Sequence, residues 1–298
     1  MVRTDVTESA VEFSCGTDAL LGILHAPRTL RGDSGVLVIV GGPQYRVGSH
    51  RQFVLLGRYL AAHGIPVFRF DYRGMGDSDG EARDFSEVTD DIGAAIAAFR
   101  EQLPGVRQMT LWGLCDAATA AAAYAHRDAG ITGLVLLNPW VRSESGNARA
   151  YLRHYYLQRL LQGAFWRKLL QGGFDPRGSL TDLLAKIRQS RTTRPVPPRD
   201  DESPAGSTQA GSLAEALLAD LDRFGGHIGL VLSGRDLTAA EFADVVMQSA
   251  RWRRIRETKR VSTLRLDDAD HTFSRSEWRD RVAQQTLEWV TSGLDQQD

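Results

Sequence analysis

Cysteine is scarce in this sequence: Cys15 and Cys115 stand far apart and are the only two, which leaves no disulfide framework and no CxxC metal or redox pair. An excess of either charge is also missing. Against 36 Lys and Arg there are 37 Asp and Glu, a net charge of −1 at pH 7, so no global field draws nucleic acid or an anionic membrane. The one dense basic stretch, "RWRRIRETKR" (251–260), reads as a solvated helix end. No apolar run reaches the length of about 18 residues that spans a bilayer, and "MVRTDVTESAVEF" has no apolar h-region, so the expected location is the cytoplasm. The seven histidines show no HxH or HExxH spacing, and no metal or other cofactor is expected.

What the chain does have is room and rhythm. Its 298 residues suffice for one large α/β domain with an insertion. "VEFSCG" and "LLGILHAP" alternate apolar and polar residues around the turn "GTDA", which predicts a hairpin holding Cys15. "GVLVIVGG" (35–42) is a continuous apolar run, the mark of a strand buried on both faces. A helix follows, with Phe53, Leu56 and Leu60 on one face, Ser49 and Gln52 as a capping box and Gly64 as its stop. The alternation continues: "PVFRFD" as strand, a helix with Val88, Ile92, Ala95 and Phe99 on one stripe, "MTLWGL" as strand, "DAATAAAAYAHRD" as helix and "GLVLLN" as strand. It resumes at "HIGLVLSG" and closes with "AAEFADVVMQSARWRRI", "STLRLDDADH" and "EWRDRVAQQTLEWVTSGL". Strands alternating with helices predict a mostly parallel sheet flanked by helices. Residues 1–140 and 227–298 form the expected core domain, and 141–226, which lack a buried-strand pattern, a helical lid insertion. Within it the Pro-, Gly-, Ser- and charge-rich stretch 191–212 predicts a mobile loop.

In an open parallel sheet, ligands sit beyond the carboxyl ends of the strands, so residues that directly follow strands are the candidates. In "LWGLCDAAT" (111–119), Cys115 follows a strand and precedes a helix, and the small residues Gly113 and Ala117 permit a sharp turn. A helix N-terminus under the sulfur favours thiolate. His271, in "DADHTF", follows the last predicted strand and suits proton transfer near neutral pH. Asp236, in "LVLSGRDLT", follows the preceding strand, where a carboxylate can hold the imidazole Nδ1 proton and fix its tautomer. Asp267, Asp268 and Asp270 are nearer in sequence but alternate in direction, and Glu241 lies a turn into the next helix. His25, His50, His63, His126, His154 and His227 are expected to be packing or surface residues. The order nucleophile, acid, histidine is that of the α/β-hydrolase fold.

On these residues nearly the whole chain resembles an α/β hydrolase. "GGPQ" stands at the oxyanion loop, "FDYRGMGDSDG" at the glycine-rich loop after the next strand, and the insertion follows "LNPW", where that family carries its lid. "GGPQYRVGSHRQF", "FDYRGMGDS", "GLCDAA" and "ADHTFS" resemble the exosortase A system-associated hydrolase 1 group, and "GLCDAA" and "DHTF" are similar to dienelactone hydrolase, a cysteine enzyme. The resemblance implies an oxyanion hole built from backbone amides. Asp116, directly after the nucleophile, gives one; Pro43 has no N–H, so Gln44 gives the other, a departure from the usual HG motif. "RGMGDSDG" reads as a structural loop, because it lacks the GxxxxGK[ST] sequence of a P-loop.

A decayed esterase would lose its histidine or acid as readily as its serine. Both remain, and a competent nucleophile replaces the serine, so the expected protein is a working thiol enzyme. It is an acyl hydrolase that acts through Cys115, His271 and Asp236 and a covalent thioester on a small ester, lactone or thioester, carrier-bound forms included. The alternatives are an acyltransferase that passes the acyl group to an amine or alcohol, and a non-catalytic binding protein on the same fold.

Overall fold

The computed structural model describes residues 6–42, 44–141, 205–258 and 260–292. The chain divides into two compact units, Met1–Val141 with Leu213–Asp298, and Arg142–Ser212.

The first unit is built on an eight-stranded sheet in the order β1-β2-β4-β3-β5-β6-β7-β8. β1 (Val6–Cys15) and β2 (Asp18–Pro27) form the predicted hairpin, turning through Gly16 at φ 63°. β2 joins β4 (Val67–Phe70) antiparallel; from β4 onward all pairs are parallel. β3 (Ser34–Ile39), β5 (Gln108–Leu114), β6 (Ile131–Leu137) and β7 (His227–Ser233) are buried along almost their whole length, which is why they read as unbroken apolar runs. β8 (Val261–Leu266) closes the sheet.

The helices cover the faces with the stripes read from sequence. α1 (Gln52–Ala62) buries Phe53, Leu56 and Leu60, and α2 (Thr89–Gln102) buries Ile92, Ala95 and Phe99. α3 (Asp116–Ala125) is almost wholly apolar because it lies against the sheet at β5 and β6. The predicted helix after β7 is broken into α5 (Leu237–Phe242), a π-turn and α6 (Ala250–Thr258); α7 (Ser276–Ser292) ends the fold.

Two local expectations are corrected. Ser49 and Gln52 form no capping box. Ser49 begins a 3-10 turn (Ser49–Arg51) in which His50 and Arg51 are left-handed, and its N–H donates to Gln44 Oε1 at 3.3 Å. The insertion expected over 141–226 and the loop expected over 191–212 lie largely outside the described residues. Within them, α4 (Ala205–Arg223) is helical from Ala205, and residues 213–226 belong to the first unit, because Leu217, Leu218, Leu221 and Phe224 are buried. The basic stretch does form a helix end: Arg251 and Arg254 both reach Asp222 at 3.3 Å, while Trp252 and Ile255 face inward. No helix among the described residues is long and apolar enough to cross a membrane.

Candidate active site

Cys115 occupies the turn between β5 and α3 with φ 64° and ψ −123°, a conformation that L residues rarely adopt and that costs about 1–3 kcal/mol. The turn is sharp because nothing fills it. A Cβ on Gly113 would stand 2.5 Å from Ala117 O. Cys115 N–H donates to Leu137 O at 2.8 Å, and Cys115 O accepts from Ala118 N–H and Trp140 N–H, both at 3.1 Å. The side chain is half-buried at the head of α3.

The structure brings His271 and Asp236 to this turn. His271 Nδ1 lies 3.0 Å from Asp236 Oδ2, and Asp236 and Cys115 both favour the protonated imidazole. Since Nδ1 is committed to Asp236, the edge left for the sulfur is Nε2. Burial by itself would push the imidazole pKa down; Asp236 and Cys115 overcome this and raise it to about 10. Asp236 is held in turn. It is the N-cap of α5, accepting from Thr238 N–H at 3.3 Å and Ala239 N–H at 3.1 Å.

The other candidate acids are engaged elsewhere. Asp267 pairs with Arg265 at 2.7 Å, Asp268 with Arg235 at 2.6 Å, and Asp270 accepts from Ser274 N–H at 3.0 Å within its own turn. Glu241 lies within α5. Among the other histidines, His25 meets Arg69, His63 meets Tyr59 O, His126 lies 3.8 Å from Asp220 and His227 meets Ser262. His154 lies outside the described residues.

Of the two amides expected to form the oxyanion hole, Asp116 opens α3 next to Cys115 and Gln44 lies half-buried in the loop after β3. The N–H of Gly42 in that loop is taken by the Asp116 carboxylate at 2.8 Å. Pro43 lies outside the described residues. The glycine-rich loop after β4 is braced internally, as a structural loop should be: Ser78 Oγ–H donates to Asp71 O at 2.7 Å, and a Cβ on Gly76 would stand 2.1 Å from Asp71 Oδ2.

One residue of the site escaped sequence reasoning. Asn138, fully buried at φ 43°, donates through Nδ2 to Ser233 Oγ at 2.9 Å and to His271 O at 3.2 Å, and accepts from Ser233 N–H at 2.9 Å. It joins the ends of β6 and β7 to the histidine loop. A polar residue closing an apolar run was the available signal, and it read only as a strand end.

Residues 34–193, more than half of the chain, match the family model described as serine aminopeptidase, S33. A polyketide transferase, grgF, of a Penicillium species is 26% identical over 151 residues, 49% of this chain and 50% of that protein; the chain thus spans about half the length of the curated relative it matches. Among solved structures, an esterase of Pyrococcus furiosus superposes with TM-score 0.63 at 16% identity, covering 96% of this chain and 93% of that one. The corresponding values are 0.57, 14%, 97% and 98% for a dienelactone hydrolase of Anabaena variabilis, and 0.56, 18%, 96% and 98% for the Penicillium α/β hydrolase GrgF. At these identities the likeness is one of fold.

Proposed function

The chain belongs to the serine aminopeptidase, S33 family and has the α/β-hydrolase fold, and from that premise we propose that it is an acyl hydrolase working through a thiol. In this reading Cys115 is the nucleophile, His271 the proton carrier and Asp236 the group that orients it, with the Asp116 and Gln44 amides as oxyanion donors. One observation carries the reading: His271 Nδ1 stands 3.0 Å from Asp236 Oδ2, and Asp236 and Cys115 together raise the imidazole pKa against its burial. The substrate class is a small ester, lactone or thioester.

Cys115 passes its thiol proton to His271 as Sγ attacks the acyl carbon, and the carbonyl electron pair moves to an oxygen held by the two amides. Collapse of the adduct expels the alcohol or thiol, which takes a proton from His271 and leaves an acyl thioester on Cys115. Water then attacks that thioester, His271 takes its proton, and Sγ departs. Thiolate leaves more readily than alkoxide, so the first step favours activated acyl donors over simple alkyl esters.

A second reading, acyl transfer to an amine or alcohol, differs only in the attacking group of the last step. The named activity of the Penicillium relative, a polyketide transferase, favours it, as does the transfer potential retained by a thioester.

The test is intact-protein mass spectrometry after brief incubation with acyl thioesters and p-nitrophenyl esters. An acyl adduct on the wild type that is absent from Cys115→Ala is expected, and its lifetime with and without amine or alcohol separates hydrolysis from transfer. No adduct with any donor overturns the reading in favour of a binding protein.

A further inference from the structure

Asp116 is named above for its backbone amide, but its side chain makes the more unusual contacts. A carboxylate in the first turn of a helix is stabilised by the free N–H groups there, and Oδ1 accepts from Ala117 N–H at 2.9 Å in that way. Oδ2 reaches out of the helix altogether, accepting from Gly42 N–H at 2.8 Å, 74 positions earlier in the chain. Between the two, Gly41 is pressed onto the carboxylate: a Cβ there would stand 2.1 Å from Oδ1 and 2.8 Å from Ala117 N. The head of α3 and the loop after β3 are thereby stitched together by one side chain.

The same loop is held at a second point. Arg46 N–H donates to Asp71 Oδ1 at 2.6 Å, its guanidinium bonds the same carboxylate, and its carbonyl accepts from buried Arg69 at 2.8 Å. Gln44 therefore hangs between two carboxylate anchors, Asp116 at Gly42 and Asp71 at Arg46. Its own amide oxygen is used inside the loop, on Ser49 N–H. Where its backbone N–H points depends on both anchors, and the nearer one is attached directly to the residue after the nucleophile.

We propose that the Asp116 side chain is a positioning residue for acyl transfer: by holding Gly42 against the start of α3, it sets the loop amide at the distance from Cys115 that a tetrahedral oxyanion requires. This inference rests on the acyl-transfer chemistry proposed above. Burial raises the Asp116 pKa while the Gly42 and Ala117 amides oppose the rise, as expected for a carboxylate set into amides rather than water.

The test separates two reactions of the same thiol. Acylation by a thioester or p-nitrophenyl ester passes through an oxyanion; alkylation by iodoacetamide does not. In Asp116→Ala, acylation of Cys115 is expected to slow about 100-fold, the scale of a small misplacement at a reacting centre. Alkylation, which has no oxyanion to misplace, should stay within about twofold of wild type. Asp116→Asn keeps the shape and one acceptor oxygen, should fall between wild type and Asp116→Ala, and guards against a folding defect in the alanine variant. Hydrogen exchange over residues 41–50 should quicken in both variants while that of β5 and β6 stays unchanged.

Equal slowing of acylation and alkylation places the effect on the thiol itself and overturns the proposal. Normal acylation in both variants overturns it as well. A wild type that no donor acylates is a different failure: it sinks the functional reading, and the positioning role with it.

Discussion

His271 combines a half-buried side chain with a pKa of about 10, which its two partners hold up against burial. In the proposed mechanism an imidazolium sustained to that pH would serve as the proton donor to the leaving group across the neutral range. Asp236→Asn removes the charge that contributes most, so the His271 pKa should fall toward the ordinary value of about 6.5, read from the Cε1–H shift in an NMR titration. Turnover should drop about 100-fold or more with it. The linkage has a definite sign. With the folded pKa above the unfolded one, His271 contributes stability fully below about pH 6.5 and loses it as pH rises through about 10; the Asp236→Asn variant should show a weaker alkaline decline in its urea midpoint. At this scale the sequence was informative because Cys115, Asp236 and His271 each lie in the turn or loop that follows a strand. It was silent on Asn138 and on the Asp116 carboxylate, whose partners lie 95 and 74 positions away.

The turn between β5 and α3 depends on two glycines that no other residue can replace without displacement. Gly113→Ala sets a methyl against Ala117 O and Gly41→Ala sets one against Asp116. Each is expected to destabilise the fold by about 1–3 kcal/mol, the usual cost of overpacking, measured by urea denaturation. Gly41→Ala should also slow acylation more than alkylation, because it displaces the loop that Asp116 holds. Asn138→Ala acts at the other side of the site. It removes three hydrogen bonds and leaves Ser233 N–H buried without its acceptor, a loss of about 2–4 kcal/mol in unfolding free energy, together with a lower kcat as the histidine loop loosens. The capping box misread at Ser49 belongs to this scale too: the local sequence suits a cap, but the loop from Gly42 to Arg46 is tied down elsewhere and delivers the chain to α1 through two left-handed residues.

Across the whole molecule, the acid limit of stability should begin with a histidine far from the proposed chemistry. His25 is fully buried on β2, with Nε2 accepting from Arg69 Nε–H at 2.7 Å, and burial followed by the Arg69 charge lowers its pKa to about 4. Below about pH 6.5 the unfolded chain binds a proton there that the folded chain refuses, so stability is lost progressively between about pH 6.5 and 4. His25→Gln keeps an acceptor for Arg69 without the titration, and its urea midpoint should change less than that of wild type between pH 7.5 and pH 4.5. His271 adds nothing to this limb, since its stabilisation is already complete there. By itself the sequence determined the alternation of strands and helices, the parallel sheet and the three residues that follow strands β5, β7 and β8, because buried parallel strands must be unbroken apolar runs and such sheets expose side chains at their carboxyl ends. Only the tertiary structure decided that residues 213–226 pack with the core and how Asp116 and Asn138 bind distant backbone. Those outcomes rest on directional hydrogen bonds between residues remote in the chain, which leave no periodicity for a sequence to display.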